Sequence, residues 1–143
     1  MKKISICCAI PVTSQPKTIW KYYIDISLRK LWELDLEEFS IFGELKSGTK
    51  GTFKLQDAPK MEVILSTVIP EQEFTKQFNI PDMGILYFSH QIEVVSQTES
   101  IIKSVISLLP NENVNKEAYY SFLKHISDDI LDKAFKLKEL VEQ

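Results

Sequence analysis

The chain has 143 residues, 44% hydrophobic and 26% charged, with a net charge of −3, the proportions of one ordinary globular domain spanning 1–143. The acidic balance and the lack of any Lys/Arg run provide no basic face for phosphate backbones, so nucleic acid is not an expected partner. No segment approaches the ~20 apolar residues of a transmembrane helix. The only cysteines, Cys7 and Cys8, are adjacent, a usage that suits a reducing cytoplasm.

The opening stretch MKKISICCAIPVTSQ has the basic start and apolar run of a secretory signal. That run is only about nine residues, and no small-residue cleavage site follows it. Ile4, Ile6, Cys8, Ile10 and Val12 instead alternate with more polar residues, which predicts a strand. On a strand Cys7 and Cys8 point to opposite faces and cannot clasp one metal. The next twenty residues, TSQPKTIWKYYIDISLRKLW, predict one or two short helices, with Thr13 or Ser14 as a cap and Pro16 in the first turn.

WELDLEEFSIF then alternates, with Trp32, Leu34 and Leu36 on one face and Glu33, Asp35 and Glu37 on a solvated one. The parity slips at Phe39 and Ile41, which predicts a bulge near Glu37–Glu38. GELKSGTKG, 43–51, is one transposition from the phosphate-binding loop G-x-x-x-x-G-K-[ST], because Thr49 and Lys50 stand in reverse order. A phosphate loop must open a helix, whereas here the strand GTFKL follows, so these glycines predict a hairpin with positive φ and close backbone approach.

KMEVILSTVI predicts a strand with Met61, Val63, Leu65, Thr67 and Ile69 on one side. EFTKQFNI follows, then a turn at Pro81–Gly84 and two further strands, ILYFSHQIEVV and ESIIKSVISLL. In the first of these the even positions Leu86, Phe88, His90, Ile92 and Val94 are apolar apart from the histidine. In the second, Thr98, Ser100, Ile102, Ser104 and Ile106 are uncharged. Both even sets are expected inside. From Lys116 the spacing changes to three and four, through Tyr119, Phe122, Leu123, Ile126, Ile130, Ala134, Leu137 and Val141, which predicts one long amphipathic helix. Consecutive strands with short connections make an antiparallel sheet, and one long helix must bury its stripe against that sheet, an α+β architecture.

Several motifs in this order carry a family resemblance. W-x-x-D-x-E-x-F-x-I-x-G-E-L-x-x-G-T-x-G from Trp32 to Gly51, IWKYYID around Trp20 and Asp25, VIPEQEF at 68–74 and IPDMGILYFSHQIEVV resemble the polyketide cyclase/dehydrase-like branch of the START-like (SRPBCC, helix-grip) superfamily. The resemblance covers nearly the whole chain and implies a seven-stranded antiparallel sheet wrapped around a long C-terminal helix, with two short helices after the first strand and a cavity between sheet and helix. It further implies binding or transport of a small apolar, lipid- or polyketide-like molecule. Alternatives within the superfamily are a cyclase or dehydratase-like enzyme and a protein-interaction module with a filled core.

The expected cavity lining is Leu65, Phe88, His90, Ile102, Ser104, Tyr119, Phe122 and Ile126, a mostly apolar set with a few polar groups. Arg29 and Trp32 are expected at its mouth, where Arg29 either clamps a ligand carboxylate or forms a surface ion pair with Glu33 or Asp25. His90 is the candidate acid or base for any chemistry. The plainer reading is a core histidine bonded to Ser104 or Tyr119, with contact to a ligand as the other. No nucleophile–base–orienter set accompanies it, and no motif calls for a metal or cofactor. His125, beside Asp128 and Asp129, is expected to be exposed.

Overall fold

A computed structural model describes residues 2–143. β1 (Ile4–Val12) leads into helices α1 (Pro16–Ile24) and α2 (Ile26–Arg29). Strands β2 (Leu36–Ile41), β3 (Lys50–Leu55), β4 (Met61–Ile69), β5 (Glu73–Ile80), β6 (Gly84–Val94) and β7 (Ser100–Pro110) come next, then helices α3 (Lys116–Ile126) and α4 (Ile130–Val141). The seven strands form one antiparallel sheet in the order β1-β7-β6-β5-β4-β3-β2. The fold is therefore α+β, with a C-terminal helical segment against one sheet face, as the alternation and the helical spacing predict.

Pro16 opens α1 as expected, but the capping residue is Gln15 and its side chain makes no cap bond. Neither Thr13 nor Ser14 fills that role; Ser14 uses its carbonyl to accept from the Ser100 hydroxyl at 2.8 Å. Asp25 caps α2, accepting from the N–H of Ser27 at 3.0 Å and of Leu28 at 3.3 Å. The helical segment from Lys116 is broken at residues 127–129. Ser127 turns its hydroxyl back onto the carbonyls of Leu123, at 2.8 Å, and Lys124, and two aspartates follow. These short polar side chains compete with the helical ladder and favour its interruption.

The register of β2 and β3 shifts between Leu36 and Glu38, the expected bulge. Upstream of Leu36 the chain is turn, so the alternation from Trp32 does not make a strand. Leu34 is 72% exposed and Glu33 is buried, the reverse of the strand expectation. A second shift between Leu65 and Thr67 brings Val68 onto the core and leaves Ile69 largely outside, so the Met61–Ile69 face is continuous only to Leu65. Gly43 (φ 125°) and Gly48 (φ 95°) serve the β2–β3 loop, and a Cβ on Gly51 would lie 2.1 Å from the Ser40 carbonyl oxygen. No helix follows these glycines, as the hairpin reading requires.

Inward-facing residues include Ile10 and Val12 of β1, Phe74 and Phe78 of β5, Leu86 and Ile92 of β6, and Ile102, Ile106 and Leu108 of β7. Ile19, Trp20 and Tyr23 of α1 and Ala134, Leu137 and Val141 of α4 close over them. The even-numbered positions of β6 and β7 do point inward, except that Val94 at the strand end is exposed; Thr98, expected inside, is also exposed because it lies in the turn before β7 begins.

Candidate functional site

The interior holds a group of ionisable side chains where α1 and α2 meet β5 and β6. Arg29, the only arginine in the chain, ends α2 and has no exposed surface. Its Nε donates to Glu33 Oε1 at 3.2 Å, its Nη1 to the Tyr23 carbonyl at 2.9 Å, and its Nη2 lies 3.2 Å from His90 Nε2. The guanidinium is also stacked within about 5–6 Å of the rings of Trp32, Phe74 and Phe39. Glu33 sits one helical turn beyond Arg29 and is 3% exposed.

Lys76 enters from β5. It lies on the same side as Phe74 and Phe78, is 2% exposed, and holds its Nζ 3.7 Å from Glu33 Oε1, beyond hydrogen-bond length. Three phenylalanine rings surround the ammonium, with centroids 4.2 Å (Phe53), 5.2 Å (Phe88) and 5.9 Å (Phe39) away. Burial pulls Lys76 down to about 7, against the opposing attraction of Glu33. Burial pushes Glu33 up, but Arg29, Lys76 and Lys133 outweigh it and hold the carboxyl far below the ordinary carboxylate range. At the margin, Lys133 of α4 reaches Asp35 at 3.0 Å and Asp129 at 3.2 Å.

His90 fixes its own tautomer. A guanidinium only donates, so Nε2 facing Arg29 must accept, and the neutral ring then carries its hydrogen on Nδ1. That Nδ1 is buried and has no hydrogen-bond partner among the described residues. Burial and the neighbouring Arg29 and Lys76 charges keep the imidazole well below its usual pKa, in agreement with a neutral ring. The ring packs between Tyr23 and Trp32, at centroid distances of 5.2 and 5.3 Å.

Of the residues expected at the site, His90, Phe88, Arg29 and Trp32 are gathered here. Arg29 and Trp32 do not stand at a mouth: both are enclosed, and Trp32 donates its indole N–H to the Tyr22 carbonyl at 2.9 Å. The Arg29–Glu33 ion pair is present but buried, because Glu33 follows α2 within one turn and is carried inward with it. Ser104 stands opposite His90 in the β6–β7 pairing, yet the histidine bonds Arg29. Tyr119, on α3, donates its hydroxyl to the Leu108 carbonyl further along β7 at 2.8 Å and accepts the Ile4 N–H at 3.2 Å, so that group is committed to backbone. Leu65 and Ile102 are wholly enclosed, and Phe122 and Ile126 pack against the same core from α3. His125 is exposed.

Lys76 was not among the expected site residues, and Glu33 was expected only as a surface ion-pair partner of Arg29 or part of a solvated strand face. The signal for Lys76 was available: in F-T-K-Q-F the lysine shares the parity of two phenylalanines. Glu33 was disguised by an acidic run that looks solvated.

Two surface depressions lie elsewhere. One, of about 250 Å³, is lined by Ile69, Gln72, Glu73, Gln91, Ile92, Glu93 and Lys103. The other, of about 330 Å³, lies among the connections around Gln15, Glu71 and Gln97. Neither is between the sheet and α3–α4. Among the described residues no group of three His, Cys, Asp or Glu stands close enough to hold a metal, and no helix is long and apolar enough to cross a membrane.

No protein-family model matches the sequence, and no curated protein sequence does. Solved structures do match its shape. Zhui aromatase/cyclase from Streptomyces sp. R1128 superposes with a TM-score of 0.74 at 8% identity, over 98% of this chain and 94% of that one. Truncated norcoclaurine synthase from Thalictrum flavum, a protein also solved with dopamine and hydroxybenzaldehyde, gives 0.69 at 16% identity over 97% and 93%. A conserved protein of unknown function from Enterococcus faecalis gives 0.66 at 22% identity over 99% and 73%. The chain thus has the START-like, helix-grip fold of the polyketide cyclase-like proteins.

Proposed function

We propose that this chain binds a small apolar, lipid- or polyketide-like molecule between the inner face of its sheet and its C-terminal helical segment. The observation carrying this reading is the buried Arg29–Glu33–Lys76–His90 group walled by aromatic rings. A core that only had to be filled would be at least as stable with apolar side chains in these places. Perturbed ionisable groups with unmet hydrogen-bonding capacity are more typical of sites that receive something. Solved proteins of this fold include one that holds small aromatic molecules, which supports the same reading. In this reading the C-terminal helical segment loosens to admit the ligand, and its break at residues 127–129 is where it would flex.

The test is native mass spectrometry of protein purified from its own host, followed by organic extraction. A co-purifying apolar molecule that is lost when Leu65 or Phe88 is replaced by Trp supports the reading. A protein that emerges empty, and whose melting temperature ignores a panel of lipids and polyketides, overturns it. A second reading, a protein-interaction module, is favoured by Leu131 and Phe135, which lie one turn apart on α4 and are half exposed.

A further inference from the structure

The charged group is unbalanced in a specific way. Its inner cations are Arg29 and Lys76, with Glu33 the one carboxylate between them; at the rim Lys133 is answered by Asp35 and Asp129. Each of the three Arg29 nitrogens has a partner, in Glu33, the Tyr23 carbonyl and His90. Lys76 has three N–H donors and only a carboxylate oxygen at 3.7 Å, shared with Arg29. His90 presents an Nδ1–H with no acceptor. Phe74 pairs with His90 and Lys76 with Phe88 across β5 and β6, which puts His90 and Lys76 diagonally opposite on one face. Such diagonal neighbours stand about 7–8 Å apart along the backbone, so both side chains can turn toward one ligand. The interior therefore has a surplus of donors and of positive charge, ringed by Phe39, Phe53, Phe88, Tyr23 and Trp32.

We propose that the ligand is an apolar acid, whose carboxylate is received by the Lys76 ammonium and the His90 Nδ1–H while its hydrocarbon or aromatic body lies against the surrounding rings. This rests on the carrier reading above and adds the chemical class. A carboxylate gives both unmet donors a partner and cancels the surplus charge, whereas an ester or alcohol of the same skeleton does only the former, and weakly. Binding also restores the protonated lysine, so affinity falls as pH rises above neutrality. The charged and titratable groups facing the lysine are Arg29 and Lys133 on one side and Glu33 and Asp35 on the other, with His90, whose burial holds it neutral well below this interval.

The experiment is isothermal titration calorimetry of the full chain at pH 6.5 with two acids, dodecanoate and 2-naphthoate, and with their methyl esters. For at least one skeleton, the acid is expected to bind about tenfold or more tightly than its ester, the scale of one charge-assisted bond. In Lys76→Met, with folding confirmed by its urea midpoint, that preference disappears. It also shrinks in the wild-type protein at pH 9. Acid and ester binding equally well to the wild-type chain overturns the carboxylate assignment and leaves the carrier reading standing. Binding of none of the four overturns both.

Discussion

Arg29 and Glu33 meet inside the protein, Nε to Oε1 at 3.2 Å, with both side chains almost wholly enclosed. A buried pair of this kind adds little net stability over apolar side chains of the same volume, but removing one partner strands the other. Arg29→Ala is expected to lower the unfolding free energy by about 3–5 kcal/mol. The double change Arg29→Met, Glu33→Leu should recover most of it. Urea midpoints of the three proteins decide this, and a single-variant loss below about 1 kcal/mol would mean that Glu33 finds water or another cation.

Stability should rise with pH. The unfolded chain keeps a proton on Lys76 up to its ordinary 10.5, while the folded chain releases it at about 7, so the unfolded state binds more protons in between and folding is favoured as pH climbs. His90 acts in the same direction lower down, since the unfolded imidazole protonates below 6.5 and the folded one does not. Glu33, held low in the fold, loses its contribution as pH falls through the carboxylate range. Denaturant midpoints from pH 5 to 9 should increase throughout, and Lys76→Met should flatten the part above 7. A wild-type curve that falls between pH 7 and 9 contradicts the lysine assignment.

Tyr119→Phe removes the hydroxyl that links α3 to two strands, through the Leu108 carbonyl and the Ile4 N–H. A cost of about 1–3 kcal/mol is expected, because two backbone groups lose a partner. Hydrogen exchange at Ile4 should accelerate more than at the centre of β6. Unchanged exchange would mean that water takes over the bond.

Gly51→Ala places a methyl group 2.1 Å from the Ser40 carbonyl oxygen, a backbone atom that cannot swing aside. The β2–β3 pair must part locally, at a cost of about 1–3 kcal/mol on the scale of overpacking. Chemical shifts of Ser40 and Ile41 should move together. A variant as stable as the parent would show that the two strands adjust freely there.

Alternation and spacing were enough to place the sheet, because β6 and β7 bury one parity along nearly their whole length. They failed where a bulge reverses the parity, as at Val68, and where an alternating run is turn, as at Leu34. The α3–α4 break was hidden because the apolar stripe continues across it; the clue was the local chemistry of Ser127, Asp128 and Asp129. At the site, the histidine and the ion-pair partner of Arg29 could be read from residue type and helical spacing. Depth could not. Whether Glu33 and Arg29 face water depends on the path of the turn after α2, and that path is set by contacts with β5 and β6 far away in sequence.

The irregularity in β2 has a consequence for behaviour at high concentration. This strand ends the sheet, so its outer N–H and C=O groups would accept another chain's strand. The register shift after Leu36 and the charges of Glu37 and Glu38 make that edge a poor template for a second copy. Replacing both glutamates by Val would leave a short β-branched edge with nothing to repel a neighbour, and light scattering of concentrated samples should then report more self-association than the parent protein shows.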